Sequence, residues 1–99
     1  MIVEERIYTL RPGGAARYLQ LWREKGRHAQ LEILGSPLGI YTCDIGELNT
    51  LTYLWQFASH DEREKRRSQL MRDDRFTQFR SAVRDLVVSQ RNRLLVPID

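Results

Sequence analysis

Residues 50–57, TLTYLWQF, place a large side chain at every second position: Leu51, Tyr53, Trp55 and Phe57. In an extended strand these share one face, and Thr50, Thr52, Leu54 and Gln56 take the other. Three aromatic residues on one exposed side would make a large apolar patch, and such patches usually meet a partner. Residues 2–10, IVEERIYTL, also read as a strand. One face carries Val3, Glu5, Ile7 and Thr9, the other Ile2, Glu4, Arg6, Tyr8 and Leu10. Neither face is purely polar, so this strand is expected to be covered on both sides.

The other elements follow from periodicity and punctuation. Arg11-Pro12-Gly13-Gly14 ends the first strand, because proline cannot extend a central ladder and glycine permits a tight change of direction. Residues 14–33 read as a helix, with Ala15, Tyr18, Leu19, Trp22, Ala29 and Ile33 at helical spacing. Gly35 suits its C-terminus, and Gly26 inside it implies a close packing contact. Residues 37–43 read as a strand. The loop 44–49 then joins it to 50–57 as an antiparallel hairpin. Ser59-His60-Asp61-Glu62 is a capping box opening a polar helix to about Met71. That helix is expected to expose Arg63, Glu64, Lys65, Arg66 and Arg67 and to bury Leu70 and Met71. Asp73 or Asp74 caps a further helix with Phe76, Phe79, Val83, Leu86 and Val87 on one stripe. Residues 91–96 make the last strand, ended by Pro97.

The order strand, helix, strand, strand, helices, strand predicts an α+β, ferredoxin-like βαββαβ fold. Four antiparallel strands carry helices on one face. With Tyr53, Trp55 and Phe57 assigned to the open face, that face is expected to meet a second copy in a twofold homodimer, forming a dimeric α+β barrel. The 99 residues allow a single domain, 1–99, with a modest core that a partner would help to complete.

Composition narrows the function classes. The net charge is +3, all of it in residues 51–99, which is too little to predict nucleic-acid binding without a motif. RNA-recognition domains share this strand order, yet TLTYLWQF lacks their basic-Gly-aromatic-Gly pattern, so no nucleic-acid partner is expected. No apolar run is long enough for a membrane span. Glu4, Glu5 and Arg6 break any signal-peptide core, and a cytoplasmic location is expected. Cys43 cannot form an internal disulfide and reads as a buried, inert thiol. His28 reads as structural or surface, and His60 as surface. No spacing of His, Cys and acids suits a metal, and no cofactor is expected.

Several segments resemble the NIPSNAP family in the same order along the chain. Glu4-x-Arg6-x-Tyr8-Thr9-Leu10-Arg11-Pro12-Gly13 resembles its opening strand and turn. Leu38-Gly39-Ile40-Tyr41, Ile45-Gly46-Glu47-Leu48-Asn49, and Leu54-Trp55-Gln56-Phe57 with Ser59-x-Asp61-Glu62-Arg63 resemble its second strand, loop, and third strand with helix start. Asp73-Asp74-Arg75-Phe76 and Asn92-Arg93-Leu94-Leu95-Val96-Pro97 complete the set. Two departures are visible: Tyr53 stands where members often have histidine, and Phe57 where they often have tyrosine. The first removes an acid/base group. The resemblance implies a dimeric α+β barrel within a group that mixes cofactor-free monooxygenases, haem-degrading enzymes, isomerases and non-enzymatic proteins.

A ligand site is therefore expected between the sheet and the partner subunit, lined by Glu4, Arg6, Tyr8, Tyr41, Tyr53 and Trp55. Arg6 would hold an acidic or carbonyl group and a tyrosine would donate a hydrogen bond. The function read from this is a dimeric small-molecule-binding protein, a cofactor-independent oxygenase or isomerase. The competing reading is a non-catalytic structural or protein-interaction module, in which the same residues form an internal ion pair and an aromatic core.

Overall fold

The computed structural model describes all of residues 1–99. Four strands are formed: β1 (Ile2–Leu10), β2 (Gly39–Thr42), β3 (Thr50–Phe57) and β4 (Val87–Leu95). They make one sheet in the order β2-β3-β1-β4, with every neighbouring pair antiparallel. Between β1 and β2 run α1 (Ala15–Leu21), a π turn (Trp22–Gly26) and α2 (Arg27–Leu34). Between β3 and β4 run α3 (His60–Met71), α4 (Asp74–Val83) and a 3-10 turn (Arg84–Leu86). All helices lie on one face of the sheet, and the molecule measures 36 × 33 × 19 Å, the thin dimension being two layers. The ferredoxin-like βαββαβ expectation holds.

Local chemistry explains the boundaries. Ser59 Oγ accepts from the Glu62 amide at 3.1 Å, and the Glu62 carboxylate reaches back to the Ala58 amide, opening α3. Asp73, rather than Asp74, caps α4 by accepting from the amides of Arg75 and Phe76. Gly35 ends α2 at a φ of 87°, a conformation that favours glycine. β4 begins four residues earlier than the sequence reading placed it. Val87, assigned there to a helical stripe, already pairs with Leu10 in the ladder. The π turn was not foreseen either.

The structure corrects which face of the sheet is covered. Leu51, Tyr53, Trp55 and Phe57 are all buried, and they lie under the chain's own helices. The register pairs Glu4 with Trp55 and Arg6 with Tyr53, so the even residues of β1 share that covered side. The open face instead carries Val3, Glu5, Ile7 and Thr9 with Thr52, Leu54 and Gln56. It is mixed rather than aromatic, so the dimer argument built on Tyr53, Trp55 and Phe57 fails. Met71 is also less covered than expected, at 36% exposure, while Leu70 is fully buried. Cys43 is half-buried rather than buried, and its thiol meets the Ile45 carbonyl.

Gly26 has the close contact the sequence implied. A Cβ there would stand 2.6 Å from Cγ of Phe79, a buried ring on α4. Helix propensity favours alanine by about 1 kcal/mol, and overpacking of this kind costs roughly 1–3 kcal/mol. Gly26→Ala should therefore lower the melting temperature, by roughly 4–8 °C for each kcal/mol of net loss. Thermal unfolding by circular dichroism tests this. A rise would mean that Phe79 moves aside at no cost.

Candidate functional site

Period-two alternation turns Glu4, Arg6 and Tyr8 of β1 toward the helices, where they form a connected polar row. Glu4 is fully buried. It accepts from Arg6 Nη1 at 3.0 Å and from Arg63 Nε and Nη2 at 3.2 and 2.8 Å. Arg63 reaches it because the Ser59 cap starts α3 beside the sheet and places residue 63 one turn in. Arg6 Nε then donates to the Tyr8 hydroxyl at 3.1 Å, and the guanidinium lies 5.8 Å from the centre of that ring. Burial alone would raise the Glu4 carboxyl. The Arg63 hydrogen bonds and the charges of Arg6 and Arg63 outweigh it and hold the group below its ordinary 4.5.

Tyrosines complete the floor. The hydroxyls of Tyr18, from α1, and Tyr53 are 2.9 Å apart. Burial raises both above the ordinary phenol value, so they stay neutral. Tyr53 packs edge-on to Tyr8 and stacks on Trp55, whose centroid lies 5.9 Å away. The Trp55 indole nitrogen is buried with no hydrogen-bond partner, the only such side-chain atom in the molecule. On α2, Gln30 accepts from the Trp22 indole N–H at 2.7 Å.

Above this floor opens a cleft of about 350 Å³, between the sheet and the chain's own helices. That volume falls within the usual range for small-molecule sites. Arg6, Tyr8, Tyr18 and Gln30 form its base, and Phe76, Phe79 and Val83 supply an apolar wall. Arg67 and Met71 of α3, Arg80 of α4, Arg84, and Val87 and Gln90 near the start of β4 line the rest. Burial pushes the Arg67 guanidinium down to about 10, and the neighbouring Arg6 charge adds to this against the pull of Glu4 and Tyr8. No histidine, thiol or carboxylate lines the cleft. No group of His, Cys, Asp and Glu side chains in the molecule has the arrangement of a metal site.

The NIPSNAP family profile matches residues 3–99. This chain belongs to the NIPSNAP family. It is 43% identical to a NIPSNAP family protein of Agrobacterium tumefaciens, over 99% of this chain and 93% of that one, with a TM-score of 0.94. An uncharacterized NIPSNAP-like domain protein from Burkholderia xenovorans is 34% identical over 99% and 85% of the two chains, also at 0.94. An antibiotic biosynthesis monooxygenase, 13% identical over the whole of both chains, superposes with a TM-score of 0.70 and shares the fold. No curated protein matches the chain in sequence.

Within this NIPSNAP domain, five of the predicted site residues, Glu4, Arg6, Tyr8, Tyr53 and Trp55, come together on the helix-facing side. They are not on the open face, where a partner would be met. Of these, Arg6 and Tyr8 line the cleft, while Glu4, Tyr53 and Trp55 lie outside its lining. Tyr41 is separated from them: it sits exposed on the edge strand β2, opposite Thr52 and facing the open side. Sequence reasoning missed Arg67, Gln30 and Tyr18 as lining residues. It took Arg63–Arg67 as a solvated face, but Arg63 holds Glu4, Arg66 donates to the Leu34 carbonyl, and Arg67 turns into the cleft. The available signal was that Arg63, Arg67 and Leu70 follow at spacings of four and three, one face of a helix.

Glu4→Gln would leave Arg6 and Arg63 without their shared counter-charge. Removing one member of a buried ion pair costs about 3–5 kcal/mol, and urea unfolding at neutral pH should show a loss of about 3 kcal/mol. The Glu4 carboxyl is depressed in the folded state. Its contribution is therefore complete above about pH 4.5 and is lost as the pH falls through the folded value. The variant should lack that part of the acid dependence. An unchanged acid profile would show that Glu4 does not carry it.

Proposed function

We propose that this protein binds a small organic molecule in the cleft between its own sheet and helices and works in the cytoplasm as a twofold homodimer. The observation that carries this reading is the base of the cleft. Arg6 and Tyr8 face an open volume while a fully buried carboxylate behind them fixes the arginine. Held in that way, the donors need no reorganisation when a ligand arrives. Their chemistry suits an oxyanion or enolate, which is where a cofactor-independent oxygenase or isomerase needs stabilisation.

One observation favours binding without turnover. The cleft lining contains no side chain that serves as a strong base at neutral pH, since histidine, thiol and carboxylate are all absent from it. A non-catalytic binding or interaction role therefore stands beside the enzymatic one.

The dimer is expected through the open face, where Val3, Ile7 and Leu54 are half-buried within one chain. Leu54→Arg should convert a dimer to a monomer or an aggregate, read by light scattering on a sizing column. A wild-type monomer would remove this assembly from the proposal. For the site, a native mass spectrum of the protein purified from its host is expected to show a fixed extra mass. Tyr8→Phe should lose that mass and keep the dimer. An extra mass kept by Tyr8→Phe would place the ligand elsewhere.

A further inference from the structure

We propose that the cleft takes a small organic acid, a carboxylate on an apolar body, with the carboxylate held by Arg67, Arg6, Tyr8 and Gln30. This rests on the cleft being a ligand site and names the class of ligand.

The argument is a count of donors and acceptors. Gln30 is 3% exposed, and its Oε1 already accepts from the Trp22 indole N–H. An indole nitrogen only donates, so this bond fixes which end of the amide is which and leaves Nε2 as the free donor. That Nε2 has no acceptor in the protein. The only fully enclosed side-chain N or O atom without a partner is Trp55 Nε1, so Gln30 Nε2 reaches open space. Tyr8 Oη accepts from Arg6 Nε, which leaves the phenol O–H to donate outward. Arg6 spends Nη1 on Glu4, and its Nη2 has no partner. Arg67 makes no hydrogen bond or ion pair at all, although it is only partly exposed.

Each of these four groups therefore has an unspent N–H or O–H donor at the cleft. The acidic group nearest in charge, Glu4, spends its hydrogen bonds on Arg6 and Arg63 and makes none to Arg67. Three guanidinium groups share the single charge of Glu4, and a partly buried one with no ion pair of its own is unfavourable, so an incoming anion relieves it. Arg80 and Arg84 at the rim add charge of the same sign with no paired acid. The guanidinium fork matches the planar, two-oxygen geometry of a carboxylate. Phe76, Phe79 and Val83 give the remainder of the ligand an apolar wall to lie on.

The test uses benzoate, phenylacetate and 3-phenylpropionate, their neutral amides, and inorganic phosphate, all at one ionic strength near pH 7. Binding is followed by calorimetry and by the arginine Nε–H resonances, for wild type, Arg67→Gln and Arg67→Lys. At least one acid should bind saturably and move the Arg67 resonance, with its amide weaker by about tenfold or more. Arg67→Gln should lose about tenfold or more for the acid and little for the amide, and Arg67→Lys should restore part of the loss. Amides that bind as tightly as acids would overturn the proposal while leaving the cleft a ligand site. So would an Arg67→Gln protein that binds acids like wild type. Phosphate binding as tight as the best acid would overturn the apolar body. If neither acids nor amides touch the cleft residues, the ligand-site reading fails and takes this one with it.

Discussion

The buried carboxylate of Glu4 is the group around which the helix-facing side is arranged. It has no access to water, so its charge must be met inside the protein. Arg6 meets it from the same strand, and Arg63 meets it from α3, tying the helical layer to the sheet. Arg6 is then held so that its remaining nitrogens point to Tyr8 and the cleft. Without Glu4, the cations of Arg6, Arg63 and Arg67 would share one interior with no opposing charge. The carboxylate therefore sets the stability of the layer contact and the orientation of the cleft floor together.

A second constraint sits on the helix between β1 and β2. Trp22 and Gln30 are eight residues apart, which in a regular α-helix is about 80° beyond two full turns. The π turn from Trp22 to Gly26 takes up about one extra residue, with the Arg27 amide bonding five residues back to the Trp22 carbonyl. The two side chains then fall on the same side and join at 2.7 Å. Gly26, at the end of that turn, lets Phe79 approach the backbone, and Phe79 is a wall of the cleft. One irregular turn thus aims a polar donor and admits an aromatic wall.

Much of this was legible in the sequence, and the gaps have physical causes. The alternation in IVEERIYTL and TLTYLWQF states which residues share a face, and those groupings hold. Alternation does not state which face the chain's own helices will cover, because that depends on segments distant in sequence. Assigning the aromatic set of β3 to a partner was therefore an error of side, not of grouping. The Glu4–Arg6 pairing was readable from two positions on one strand. Its third member, Arg63, lies 59 residues away and was hidden in a run of charges that reads as solvated. Arg67 was missed for the same reason: a long polar helix gives few apolar markers, and Leu70 is its only fully buried residue. Val87 shows the opposite ambiguity, since a β-branched residue after a helical stripe fits either period.

The two faces of β1 divide the molecule's tasks. The even residues Glu4, Arg6 and Tyr8 build the floor under the helices, while Val3, Glu5, Ile7 and Thr9 remain on the open side. That open side is neither dry nor fully polar: Glu5 pairs with Arg93 at 2.7 Å beside half-covered Ile7 and Leu54. A second copy seated there would cover apolar surface that the two-layer fold leaves bare, which matters for a chain this short. It would do so without touching the cleft, whose lining lies on the helix side of the sheet. Assembly and ligand binding would then use opposite surfaces of one strand only a few ångströms thick. The side chains of the two surfaces alternate along β1 and share no residue, so a substitution on one side leaves the groups of the other in place.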